Sequence, residues 1–149
     1  MAGFTGSIRK GRRGAVHFDV SQLKLIDTFL EKLKKAGVKA IQEALEEEAD
    51  KILAMAQTLT PVDTGRLKES GRVIKPRRDA TKTKFEYVII FGGIQVRGLF
   101  IDYALEVHER TDVPHRVGQA KYLSTAFRMA LPGLAKRIEA RLDLEGNFR

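Results

Sequence analysis

Three histidines, His17, His108 and His115, are the first residues to test for metal or acid–base chemistry. A metal site would group His108 and His115 with Glu106 or Glu109. That spacing is not the i, i+4 pair of a helical zinc site, and a site needs at least three protein ligands. The adjacent carboxylates Glu46, Glu47 and Glu48 read as a charge run on a helix, not as a pair facing across a cleft. Gly92-Gly93 and Gly98 lack the Lys-Ser/Thr of a phosphate-binding loop, and there is no Gly-x-Ser-x-Gly elbow. The chain has no cysteine, which excludes a thiol nucleophile, a disulfide, a Cys-based zinc site and an iron–sulfur cluster. No enzyme and no cofactor is expected, and a small hydrolase or nuclease finds no cluster to support it.

Basic residues form the stronger pattern. Arg9, Lys10, Arg12 and Arg13 make one cluster, and Arg72, Lys75, Arg77, Arg78, Lys82 and Lys84 make another. Aromatic residues are not interleaved with them, so a base-stacking platform is not expected. The clusters read as solvated basic loops, as contacts to acidic neighbours in an assembly, or as phosphate contacts without sequence readout. Lys plus Arg total 27 and Asp plus Glu total 19, and 27 − 19 gives the net charge of +8. Such a charge favours nucleic acid or acidic protein surfaces as partners.

These residues must be held by a fold. The chain of 149 residues has the length of one domain. Its 43% hydrophobic and 31% charged content excludes a disordered acidic tail or a low-complexity chain. No stretch approaches the ~20 apolar residues of a membrane span, so no membrane partner is expected. The basic start, Met1 to Gly14, lacks the apolar core of a signal peptide, and a cytoplasmic site of synthesis is expected.

Residues 1–14, with four glycines and four basic residues, read as a flexible arm. Residues 15–149 read as a single domain. Val16, Phe18 and Val20 alternate with His17 and Asp19, which predicts a strand. Ser21 is placed to cap a helix with Leu23, Ile26, Phe29, Leu30 and Leu33 on one face, ending at Gly37. A longer helix follows from Val38 to Leu59, its apolar ladder interrupted by Glu48 and its outer face carrying Glu43, Glu46, Glu47 and Asp50. Pro61 ends it, and Asp63 and Thr64 are placed to cap a short helical stretch after it.

Arg72 to Lys75 reads as a strand, 76–84 as a basic hairpin tip, and Phe85 to Phe91 as a central strand with Phe85, Tyr87, Ile89 and Phe91 on one face. Gly92-Gly93 predicts a hairpin that returns as a partner strand over Ile94 to Ile101. Asp102 to Glu109 reads as helical, 110–118 as a polar loop, and a last helix runs from about Gln119, bent or broken at Pro132-Gly133. Residues 143–149 read as a polar tail. The sum is an α+β domain: an antiparallel sheet of about four strands packed against a long helix in the N-terminal half and a C-terminal helix.

Two segments carry a family resemblance. One is Thr60-Pro61-Val62-Asp63-Thr64-Gly65-Arg66-Leu67, continuing to Ser70, directly after the long helix. The other is Tyr103-Ala104-Leu105-Glu106-Val107-His108-Glu109, then a polar loop, then Gly118-Gln119-Ala120-Lys121-Tyr122-Leu123. In this order and spacing they resemble the tail-component proteins of tailed bacteriophages. These are the small neck or tail-completion proteins of the head–tail junction, related to the lambda-type minor tail protein Z. The resemblance spans roughly residues 20–142. Read physically, Pro61 stops the helix, Gly65 permits a positive φ, Arg66 and Lys68 point outward, and His108 and Glu109 brace the loop after them.

The resemblance implies a structural virion protein with no cofactor. It implies a homo-oligomeric ring, a hexamer or alternatively a dodecamer, at the head–tail junction, assembled in the bacterial cytoplasm. Its partners would be a head-side connector or portal adaptor and a tail terminator or tail tube, with DNA passing through the channel. Ring contacts are heterologous, joining one patch to a different patch on the next copy. The acidic helix carrying Glu43, Glu46 and Glu47 and the basic residues Arg72 to Lys84 would suit such a pairing. The competing reading is a nucleic-acid-binding protein without sequence specificity, using the basic arm and residues 72–84.

Overall fold

A computed structural model describes residues 8–10, 16–19, 38–75 and 86–144. In chain order it contains β1 (Ile8–Lys10), β2 (Val16–Asp19), α1 (Val38–Leu59), α2 (Arg66–Glu69), β3 (Arg72–Ile74) and β4 (Val88–Phe91). There follow β5 (Gln95–Val96), β6 (Leu99–Phe100), α3 (Ala104–Glu109), α4 (Tyr122–Ala130) and α5 (Leu134–Leu144). The class is α+β, as expected. The helix expected over 21–36, the basic tip over 76–84 and residues 145–149 lie outside the described residues. So do Arg12, Arg13, Arg77, Arg78, Lys82 and Lys84.

α1 spans 22 residues, about 33 Å at 1.5 Å per residue. Ile41, Ala44, Ile52 and Ala56 bury one face of it. Glu48 interrupts that face yet is only 5% exposed, because Arg137 Nε (2.9 Å) and Lys51 Nζ (2.9 Å) meet its two carboxylate oxygens. At the C-terminus Thr60 Oγ1 donates to the Ala56 carbonyl (2.7 Å), which satisfies an acceptor that the helix leaves open before Pro61.

Four strands form one antiparallel sheet in the order β1-β2-β4-β3. β4 is central, with Ile89 paired to Phe18 on one side and Val73 on the other. Tyr87, Ile89 and Phe91 are buried and Val88 and Ile90 half-buried, the two-faced burial that the apolar alternation predicts. Two features differ from expectation. Within the segment read as an arm, Ile8–Lys10 is an edge strand, which supplies hydrogen bonds to the flank of β2 that β4 leaves open. The segment after Gly92-Gly93 does not return beside β4, whose two edges are already taken by β2 and β3. Instead β5 and β6 pair with each other. Arg97 and Gly98 both take positive φ (46° and 79°), the backbone of a tight two-residue turn that closes this small hairpin on itself.

The last helix is broken, not merely bent, at Pro132-Gly133. Both halves still pack on α1. Tyr122, Leu123, Ala126, Phe127 and Ala130 of α4 join Ile52, Ala56, Ile89 and Phe91 in the main core. Ile138 and Leu142 of α5 close a second cluster with Ile41 and Ala44. Arg137 secures the break: Nη1 donates to Pro132 O (3.0 Å), Nη2 to Ala130 O (2.7 Å) and Nε to Glu48 (2.9 Å). One guanidinium thus caps α4 and ties both halves to α1.

Candidate functional site

The two motifs that lie far apart in sequence meet in space. Val62 N donates to Val117 O (3.3 Å) and Gln119 N to Leu59 O (2.9 Å), so the end of the polar loop runs against the corner after α1. Gly118 sits between these bonds with φ +82°, and a Cβ there would lie 2.5 Å from Thr60 C and O and 2.6 Å from Pro61 N. Only glycine lets the two backbones come this close.

In the corner, Thr60 and Leu67 are buried while Val62, Asp63 and Thr64 are exposed. Asp63 and Thr64 do not cap α2, contrary to expectation. Its N-cap is Gly65, in the left-handed region at φ 79°, and no side chain caps it. Lys68 is exposed, but Arg66 is half-buried with its Nε enclosed and lacking a partner among the described residues. Ser70, where the first motif ends, is fully buried and anchors the corner to the sheet: Oγ donates to Leu67 O (2.6 Å) and accepts from Gly92 N (2.8 Å).

The second motif forms a clasp between α3 and α4. Glu109 Oε1 accepts from His108 Nδ1 (2.7 Å), and the neutral Nε2 faces Ser124 Oγ (3.2 Å). Glu109 Oε2 pairs with Lys121, whose backbone N–H donates to His108 O (2.7 Å). These bonds hold Lys121 at a positive φ of 56°, a conformation that costs a non-glycine residue about 1 kcal/mol or more. Tyr122 stands edge-on to both His108 (5.0 Å) and Phe91 (5.1 Å) and donates to Ala104 O (3.1 Å).

Burial pushes the His108 pKa below its ordinary value, and Glu109 only partly offsets this. Lys121 holds the Glu109 carboxyl below the usual range. Ser124, His108 and Glu109 have the connectivity of a hydrolase triad. His108 is fully buried and Ser124 only 8% exposed, so Oγ is enclosed in the packing between α3 and α4. Through Glu109, His108 O and Lys121 the arrangement ties together the two ends of the 110–118 loop.

The charged residues expected at an interface are divided. Glu46 pairs with Lys75, Glu47 with Lys51 (3.2 Å) and Arg141 (3.2 Å), and Glu43 with Lys39 (3.6 Å). Arg72 donates to Ser70 O (3.1 Å) and Gly92 O (2.9 Å). The acidic helix face and the start of the basic segment therefore meet inside one chain, across 29 residues for Lys75 and Glu46. Arg9 and Lys10 lie on β1.

Beside the corner is a cleft of about 350 Å³. Pro61–Gly65 and Leu67 form one wall; Tyr103, Val107 and Pro114–Val117 form the other. Among the described residues no group of three or more His, Cys, Asp and Glu side chains is placed to hold a metal ion. No helix among them is long and apolar enough to cross a membrane.

In this fold the corner and the loop before α4 are joined by backbone hydrogen bonds and by the close approach of Gly118 to Thr60. Residues 24–100 match the HK97-gp10-like family, described as "Bacteriophage HK97-gp10, putative tail-component", and the chain belongs to that family. It is a tail-component-like structural protein of bacteriophage, associated with the virion. The match covers α1, the corner and the central strand and stops before Tyr103, so the clasp lies beyond it. No curated protein and no solved structure matches the chain.

Proposed function

We propose that the protein forms a ring at the phage head–tail junction, completing the tail or connector and joining it to the head while leaving a channel for DNA. The observation that carries this reading is the match to the tail-component family over residues 24–100. The geometry is compatible with it. A closed ring is built from heterologous contacts, which need surfaces that keep their shape before assembly. The corner is such a surface, held by the Gly118 approach, by Ser70 and by the His108–Glu109–Lys121 clasp. A net charge of +8 suits a wall that faces DNA. Head-side connector or portal-adaptor proteins and a tail terminator or tail tube are the proposed neighbours. A hexamer is the proposed ring, formed on docking where each copy–copy contact is small.

The test is negative-stain microscopy of lysates from a phage with this gene interrupted. DNA-filled heads lying apart from finished tails, or heads without tails, are the expected result. Normal infectious particles would overturn the reading.

A further inference from the structure

α4 begins without a cap of its own. Its N-cap is Lys121, in the left-handed region, and the Lys121 side chain caps nothing. The first amides of a helix have no partner within it. Two amides at this end are met by one residue of another helix. The Lys121 N–H donates to the His108 carbonyl (2.7 Å), and the Ser124 N–H points at His108 Nε2 (3.5 Å). The Ser124 hydroxyl stands 3.2 Å from the same nitrogen. Nε2 accepts from them only while it carries no proton. Glu109 sets that state: its carboxylate takes the Nδ1–H (2.7 Å) and leaves Nε2 with its lone pair.

A proton on Nε2 turns this cap against the helix. Its N–H would face the Ser124 N–H, and a cationic ring would stand at the positive end of the helix dipole. His108 is fully buried, so water cannot solvate that charge while α3 and α4 stay together. Its charged neighbours oppose each other: Glu109 favours the cation, and Lys121, paired with the same carboxylate, disfavours it. Burial outweighs both and holds the His108 pKa below its ordinary value. On α4, Tyr122 stands edge-on to the ring, and burial pushes its phenol up, so it stays neutral. Glu106 and Arg110 pair with each other at the exposed end of α3 (3.2 Å). β2, which also packs against α3, carries His17 and Asp19.

The 110–118 loop leaves from Glu109 and returns just before Lys121. Its Pro114–Val117 stretch is one wall of the cleft beside the corner. We propose that His108 is a proton-sensitive cap of α4, and that its protonation frees the first turn of α4 and the 110–118 loop together, opening the cleft while α1 and the sheet stay folded. Ala126, Phe127 and Ala130 keep the rest of α4 on the core. This device needs no neighbouring virion protein to work.

The test is hydrogen exchange of the full chain, read by mass spectrometry at about pH 7.5 and pH 5 and corrected for the intrinsic pH dependence of exchange. The expected result is a roughly tenfold loss of protection at the acid pH over residues 113–125, with α1 and β4 unchanged. His108→Gln, whose amide oxygen accepts without titrating, should abolish the difference. Ser124→Ala, which keeps the backbone N–H, should retain it. No loss in the unmodified chain, an equal loss in α1 and β4, or the same loss in His108→Gln would overturn the proposal. A response lost in Ser124→Ala would also overturn it, because the hydroxyl and not the helix amide would then be the sensitive partner. Should His108→Gln fail to fold, ring-nitrogen NMR of the unmodified chain decides. An Nε2 that is bare at neutral pH and gains its proton as protection falls is expected; an Nε2–H already present at neutral pH, or a ring that stays neutral while protection falls, overturns the cap.

Discussion

Gly118 and Thr60 lie so close that a Cβ on Gly118 would stand 2.5 Å from the Thr60 carbonyl carbon and oxygen. This contact joins the loop after α3 to the end of α1. It turns two distant motifs into one surface, and it explains why a glycine stands there without any appeal to chemistry.

Gly118→Ala should therefore destabilise the protein by about 2–4 kcal/mol, from backbone strain plus overlap with backbone that cannot move aside. Gly98→Ala is the control. It has a similar φ of +79°, but nothing lies within 4 Å of its Cβ. That variant should lose only about 1 kcal/mol, the cost of left-handed backbone for a non-glycine residue. Chemical denaturation of both variants measures the difference. Equal losses would mean that the close approach to Thr60 adds nothing.

Arg137 and Glu48 should be coupled. Glu48 is buried and Arg137 also holds two carbonyls at the end of α4, so removing Arg137 leaves one oxygen of Glu48 without its cation, with Lys51 still on the other, and removing Glu48 leaves Arg137 on the carbonyls alone. Glu48→Ala and Arg137→Ala should each cost roughly 2–4 kcal/mol, near the range for breaking a buried pair. The double variant should lose less than the sum by about 1 kcal/mol or more. Additive losses in a double-mutant cycle would show that the carbonyl bonds, not the pair, hold α5 in place.

The sequence announced most of the fold through periodicity. The ladder from Val38 to Leu59, the alternation of Tyr87, Ile89 and Phe91, and the break at Pro132-Gly133 all follow local rules. Pairing was harder to read. Gly92-Gly93 gives a hairpin signal, but the partner of β4 depends on which strands already occupy its edges, and that is a long-range fact. Glu48 looked like a flaw in an apolar seam because one of its two cations, Arg137, lies 89 residues away. The corner and the clasp could be located from the order of Pro61, Gly65, His108 and Gly118. Their contact could not be seen, since it is made by backbone atoms that every residue carries. Ser70 ends the first motif, but its anchoring role was hidden for the same reason: its partners are the Leu67 carbonyl and the Gly92 amide.

Acid should loosen the clasp. His108 has a folded pKa below its ordinary 6.5 because burial disfavours the imidazolium. Below pH 6.5 the unfolded chain therefore binds the proton more readily than the folded one, and stability falls with pH until the folded His108 titrates. Glu109, held below its ordinary 4.5 chiefly by Lys121, adds a second loss at lower pH in the same direction. The melting temperature should be flat above about pH 7.5 and decline from there toward pH 5. His108→Gln should lower the plateau and flatten the slope between pH 7 and pH 5. An unchanged slope in that variant would remove His108 as its source.

The pair Lys75–Glu46 decides where the basic and acidic segments meet. In the structure they meet within one chain, on partly exposed side chains. Exposed pairs contribute little in water, so Lys75→Glu or Glu46→Lys alone should lower stability only slightly, through the like charges it brings together. The swap Glu46→Lys with Lys75→Glu should recover the loss, and the recovery should be the same at every protein concentration. A contact between copies behaves differently, because its contribution grows with concentration. Melting curves of the single variants and the swap over a hundredfold range of concentration make the comparison. A loss that deepens or a recovery that fails on dilution would assign this pair to neighbouring copies and restore the charge-paired ring contact that the sequence first suggested.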